Sequence, residues 1–140
     1  MPGNISPTSK SVVRLAVIDD DKTLLSVFYE LLRNSGYHAH FFSKPAVALS
    51  EITAVKGHYH LVMTDFNMPL MNGLEFARKL RESEPELPII FMSGEVFSDE
   101  VVDELHRLGR VTLLNKPFGL EETLKELIPK ALRGGDLKKP

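Results

Sequence analysis

Five short apolar runs, each closed by a polar residue and each followed by a segment whose apolar residues recur three and four positions apart, leave this chain few ways to fold. The central run, from His60 through Leu61, Val62, Met63 and Thr64 to Asp65, reads as a strand buried on both faces, and Pro69 shows that the chain has left the sheet soon afterwards. Val12 to Ile18 is the first such run and stops at Asp19-Asp20-Asp21. Tyr37 to Phe42 is the second, Ile89 to Met92 the fourth, ending at Ser93-Gly94, and Val111 to Leu114 the fifth, followed by Asn115-Lys116-Pro117-Phe118.

The intervening segments carry helical stripes. Leu24, Phe28 and Leu31, with Leu25 and Leu32 beside them, form the first, closed by Asn34-Ser35-Gly36, and Ala46, Leu49 and Ile52 the second, after start signals at Ser43 and Pro45. Asn72 with Glu75 three residues on predicts an N-cap ahead of Leu74, Phe76, Ala77 and Leu80. Ser98 predicts a cap ahead of Val101, Leu105 and Leu108, and a last helix carries Leu120, Leu124, Leu127, Ile128 and Ala131. Five strands alternating with five helices imply an α/β domain, a parallel sheet covered on both faces. Right-handed crossovers allow few strand orders, and the expected one is 2-1-3-4-5, the flavodoxin-like doubly wound (βα)5 arrangement.

A chain of 140 residues has room for one such core. We place the domain at residues 12–132, with a disordered Pro-, Gly-, Ser- and Thr-containing lead-in at 1–11 and a tail at 133–140. A net charge of −2 supplies no positive field for a nucleic-acid backbone, so no nucleic-acid contact and no DNA-binding domain are expected. The absence of Cys excludes disulfides, thiolate chemistry and Cys-based zinc sites, and suits a reducing, cytoplasmic location. No apolar run approaches the roughly 18 residues of a membrane span, so no membrane association is expected.

In a parallel sheet all strand ends of one polarity share an edge, which here collects Asp19, Asp20, Asp65, Ser93 and Lys116. Three clustered carboxylates repel one another, and a hard divalent cation with oxygen ligands, Mg²⁺, relieves that repulsion. With Mg²⁺ and the single Lys charge the three Asp charges are balanced. Such a site can receive a phosphoryl group, with an ionised Asp as the nucleophile.

Val17-Ile18-Asp19-Asp20-Asp21, Thr64-Asp65-Phe66-Asn67-Met68-Pro69, Met92-Ser93-Gly94 and Lys116-Pro117-Phe118 together resemble the receiver domain of two-component response regulators, over about Val12 to Leu132. The resemblance implies that Asp65 accepts a phosphoryl group from a sensor histidine kinase or histidine phosphotransfer protein. It also implies that Asp19 and Asp20 hold Mg²⁺ together with Asp65 and the backbone carbonyl of Asn67. Ser93 and Lys116 would contact the phosphoryl group, and the Lys116–Pro117 bond would be cis. Asn67 and Glu95 occupy the positions that adjust acyl-phosphate lifetime, with the same pair as the chemotaxis receiver, which implies a short-lived switch. An output protein would dock on the face of the fourth helix, fifth strand and fifth helix. Two departures stand out. Leu113 lies where the family commonly has an inward-turning Tyr or Phe, and the spacing from Ser93 to Lys116 is about one residue longer than the commonest pattern. Ser93 and the loop from Gly94 to Phe97 are therefore expected to carry the switch that Leu113 cannot.

Other readings compete with these. A haloacid-dehalogenase-type phosphatase also uses an aspartyl nucleophile and Mg²⁺, but wants a second Asp where Asn67 stands. A degenerate receiver would bind partners without phosphorylation, against which the intact Asp, Ser and Lys set argues. Asp21 is expected to be only a helix cap. The pairs His38-His40 and His58-His60 are each spaced to lie on one strand face, as metal ligands would be, but they fall at strand beginnings away from the acidic edge with the first strand between them, which argues against a metal site; Met63 and Met92 read as core filler.

Overall fold

The computed structural model describes residues 12–116 and 119–133. The lead-in at 1–11, the end of the tail, the Lys116–Pro117 bond and the side chains of Leu120 and Leu124 lie outside the described residues. Five strands, β1 (Val13–Ile18), β2 (Tyr37–Phe42), β3 (Leu61–Asp65), β4 (Ile89–Ser93) and β5 (Val111–Asn115), form one parallel sheet in the order β2-β1-β3-β4-β5. Between and after them run α1 (Lys22–Leu32), α2 (Pro45–Ala54), α3 (Gly73–Ser83), α4 (Asp99–Leu108) and a last helix, α5, which comprises Leu120–Glu122, Thr123–Leu127 and Ile128–Leu132.

Successive side chains of a strand point to opposite faces, so the three inner strands feed two cores. Leu15, Val17, Leu61, Met63, Ile90 and Met92 face α1 and α5, meeting Phe28, Leu32, Ile128 and Ala131. On the other face Ala16, Ile18, Val62, Ile89 and Phe91 meet Ala48, Ile52, Phe76, Ala77, Leu80 and Leu105 of α2, α3 and α4. Every residue of β3 and β4 is buried, which is why those runs read as unbroken apolar stretches.

Local expectations fare unevenly. Asp21 caps α1 by accepting from the backbone N–H groups of Thr23 and Leu24, and Asn72 and Ser98 cap α3 and α4 in the same way. The inward residue of α1 is Leu32, four beyond Phe28, and not Leu31. In α2 the stripe is Pro45, Ala48 and Ile52, while Ala46 is exposed. Lys44 stands at the N-cap without a side-chain bond, so Ser43 is not the cap. An almost uniformly apolar helix gives no contrast from which the facing side can be read. The last helix is not uniform either, since Thr123–Leu127 forms a wide π turn just ahead of Pro129. Proline has no N–H for the carbonyl four residues back and its ring crowds that carbonyl, so the preceding turn opens.

Candidate functional site

The carboxyl edge of the sheet is where the chemistry-bearing side chains converge. Asp65 is the last residue of β3, Ser93 the last of β4, Lys116 follows β5, and Asp19 and Asp20 follow β1. Ladder bonds extend past the strand ends and fix these positions: Asp19 N–H donates to Phe42 O at 3.0 Å, Phe66 N–H to Met92 O at 2.7 Å, and Lys116 N–H to Ser93 O at 2.6 Å. Gly73 sets the loop after β3. A Cβ there would collide with the rings of Phe66 and Phe91, so only glycine lets α3 start this close to the strand end.

Asp19, Asp20 and Asp65 each offer a carboxylate oxygen within 4.8 Å of the others, the only such group of three among the described residues. Lys116 Nζ lies 3.1 Å from Asp65 Oδ1 and 3.5 Å from Asp19 Oδ2. Burial pushes the carboxyls of Asp19 and Asp65 above their ordinary range, and the neighbouring carboxylates push the same way, against the pull of Lys116. Burial works against the charge on Lys116 as well, yet its bond to Asp65 and the charge of Asp19 hold its ammonium protonated above the usual range. Three carboxylates facing one ammonium leave the pocket short of positive charge. That donor set, all oxygen and under-neutralised, fits a hard divalent cation. Asp19 is committed on both oxygens, to the Asp21 N–H at 2.9 Å and to Lys116, whereas Asp20 is exposed.

Ser93 is buried, and its hydroxyl oxygen accepts twice, from Glu95 N–H at 3.0 Å and from Asn67 Nδ2 at 3.3 Å. With both lone pairs engaged, the hydroxyl has only its proton left to offer, so it is a donor toward the pocket. Asn67 thus meets Ser93 through its side chain, a contact the sequence did not suggest. Glu95 is exposed and enters through its backbone. Leu113, in the middle of β5 and paired with Phe91, does not reach the acidic group. It lines a groove of about 320 Å³ with Val96, Phe97, Val102, His106 and Asn115.

Two further links were not anticipated. Asn115 Nδ2 donates to Glu95 O at 2.8 Å, tying the loop after β4 to the end of β5. Phe97 stands edge-to-face on Phe66, the neighbour of Asp65, with ring centroids 5.3 Å apart. A ring four residues after a strand-end Ser was the only signal for the second.

β1 lies between the strands that carry the two His pairs, as expected, yet one residue reaches across it. Tyr59 bridges them, its hydroxyl 2.7 Å from His40 Nδ1 and its ring against His58, while His60 Nδ1 accepts from Arg14 N–H at 2.9 Å. Those imidazoles are thereby placed in structural bonds at the opposite edge.

The fold and this edge define a doubly wound α/β domain with an acidic, lysine-bearing site at the carboxyl ends of its strands. The profile of the response regulator receiver domain matches residues 15–128, and the chain belongs to that family of two-component systems. It is 32% identical over 108 residues to the response regulator protein TodT of Pseudomonas putida, covering 77% of this chain and 46% of TodT, so it spans about half the length of that relative. With the response regulator receiver protein CpdR of Brucella abortus it shares 30% identity over 115 residues, 81% of this chain and 92% of CpdR. Among solved structures, the chemotaxis protein CheY4 of Vibrio cholerae superposes with a TM-score of 0.73 at 26% identity, covering 84% of this chain and 98% of that one. A CheY-like receiver domain from Methanospirillum hungatei reaches a TM-score of 0.79 at 22% identity, covering 89% and 97%, a likeness of fold. No described helix is long and apolar enough to cross a membrane.

Proposed function

We propose that this receiver domain, residues 12–132, takes a phosphoryl group on Asp65 from a phosphohistidine of a sensor kinase or phosphotransfer protein. The observation that carries the reading is Asp65 at a strand tip, with Lys116 Nζ 3.1 Å away and two further carboxylates within reach. An oxygen of Asp65 attacks phosphorus, the P–N bond breaks, and its electron pair stays with the imidazole, which takes up a proton. Lys116 bridges Asp65 and Asp19 and is placed to neutralise an equatorial oxygen, while Ser93 donates its proton to another. Asp19, Asp20, Asp65 and the Asn67 carbonyl would hold Mg²⁺, which when bound supplies charge neutralisation to the phosphoryl oxygens. The chain is no turnover enzyme in this reading; it catalyses only its own phosphorylation and dephosphorylation and passes its state to a protein partner.

Incubation with a small acyl phosphate and Mg²⁺ should add one phosphoryl group by intact mass. Persistence of the adduct in Asp65→Asn, or indifference to chelation, would falsify the assignment. Asp20→Ala should weaken Mg²⁺ binding more than Asp19→Ala, because Asp19 already serves Lys116 and the Asp21 N–H.

Asn67 and Glu95 flank the approach of water to the acyl phosphate, and the small Asn67 side chain is drawn toward Ser93. Self-dephosphorylation is therefore expected at the fast end of the family. A half-life of hours, unchanged by bulkier residues at both positions, would contradict this. Output follows the loop from Gly94 to Phe97 and α4, because Leu113 has no ring to turn inward. Amide NMR shifts on adding beryllofluoride should concentrate in that loop; shifts centred on Leu113 and α5 with the loop silent would refute it.

A further inference from the structure

We infer that Asn115 is a positioning residue: its side chain clasps the loop after β4 in the resting state, and so sets how readily Ser93 is drawn to a phosphoryl group. This rests on the phosphoacceptor reading of Asp65 above. Three contacts converge on the loop. Ser93 is paired with Asn115 across the β4–β5 ladder, and its carbonyl accepts from Lys116 N–H. Two residues on, the N–H of Glu95 donates to the Ser93 hydroxyl, while its carbonyl accepts from Asn115 Nδ2 at 2.8 Å. Glu95 is therefore gripped at both of its backbone polar groups, its N–H by the Ser93 hydroxyl and its carbonyl by Asn115 at the end of β5.

Ser93 cannot move deeper into the pocket without stretching or releasing the Glu95 N–H, and the Asn115 bond resists the displacement of that residue. The clasp is a contact of the resting loop position. A ligand shifts a two-state equilibrium only by its differential affinity for the states, so an interaction made in the resting state alone must be subtracted from the binding of a phosphoryl mimic. The groove beside Leu113 lets the loop move. Asn115, Val96 and Phe97 line it together, so the loop borders open volume and the side-chain bond holds it in place.

Asn115→Asp tests this at constant shape, because it replaces the donor by a carboxylate that repels the Glu95 carbonyl. Asn115→Ala removes the donor without adding charge. Both variants should bind beryllofluoride with Mg²⁺ about two- to fivefold more tightly than the wild type, the size expected for one exposed hydrogen bond. Without the mimic, amides 94–97 should shift along the line joining the wild-type free and bound positions. A lesion that merely loosened the structure would weaken binding. Unchanged or weaker binding in both variants, or amide shifts that depart from that line, would overturn the proposal. If the wild type itself fails to bind the mimic, the phosphoacceptor reading falls, and amide hydrogen exchange decides the clasp separately: faster exchange at residues 94–97 in both variants supports it, and unchanged exchange overturns it.

Discussion

The two edges of the same sheet treat buried polar groups in opposite ways. At the amino edge most are given a partner, the Ser83 hydroxyl at the end of α3 being the exception among the described residues. The buried Glu84 accepts from Gly57 N–H at 2.9 Å, Tyr59 bonds His40, and Arg81 donates to the carbonyls of Glu84, Leu108 and Gly109 at the ends of α3 and α4. At the carboxyl edge Asp19 and Asp65 are buried beside each other and share one ammonium, with burial pushing both carboxyls toward their neutral forms. One edge is arranged for folding stability; the other keeps the crowded charge that the proposed phosphoryl transfer would use. Stability spent at a site is expected wherever function requires an unbalanced charge.

Substitutions should accordingly have opposite signs at the two edges. The largest effect is expected at Glu84. Glu84→Ala strands the Gly57 N–H and should cost about 1–3 kcal/mol in urea unfolding, while Glu84→Gln, which keeps an acceptor, should cost far less. Equal losses in the two variants would show that the hydrogen bond is not the cause. Asp65→Asn removes one of the crowded charges and should raise Tm by about 2–6 °C in the absence of divalent cations. Millimolar Mg²⁺ should raise the wild-type Tm and leave that of Asp65→Asn nearly unchanged. A lower Tm in the Asn variant would mean that the Lys116 bond outweighs the repulsion.

Acid should separate the edges further. The folded-state values of Asp19 and Asp65 lie above the 3.8 of the unfolded chain. Over that window the folded state binds more protons, so stability falls as pH rises through it and the cost is fully present above it. His60 has the reverse sign. Burial, then the charges of Arg14 and His58, hold its imidazole below 6.5, and its Nδ1 must stay unprotonated to accept from Arg14 N–H. Its contribution is present above pH 6.5 and lost as pH falls through the folded value. Chemical denaturation between pH 4 and 7 should show the Asp effect vanishing in Asp19→Asn/Asp65→Asn and a weaker, opposite slope vanishing in His60→Gln. The smallest change is expected for Tyr59→Phe, which forfeits one bond to His40 at about 0.5–1.5 kcal/mol; no loss at all would reduce that contact to packing.

Element order, a short list of strand orders headed by 2-1-3-4-5, and the edge at which Asp19, Asp20, Asp65, Ser93 and Lys116 meet were legible in the linear chain. Each depends on quantities a linear chain carries. Period separates strand from helix, handedness narrows the crossovers, and a common strand direction brings all the tips to one side. The caps at Asp21, Asn72 and Ser98 were legible for the same reason, since donor and acceptor lie within three residues. The remainder emerged only on folding. Whether Ala46 or Ala48 faces inward depends on how α2 is rotated against β1 and β2, and an apolar helix does not encode that rotation. The pairings of Asn67 with Ser93, Asn115 with Glu95, His40 with Tyr59 and Glu84 with Gly57 span 19 to 27 residues. A polar side chain meets such a partner only after the sheet has set the distance, because no short-range periodicity relates the two positions.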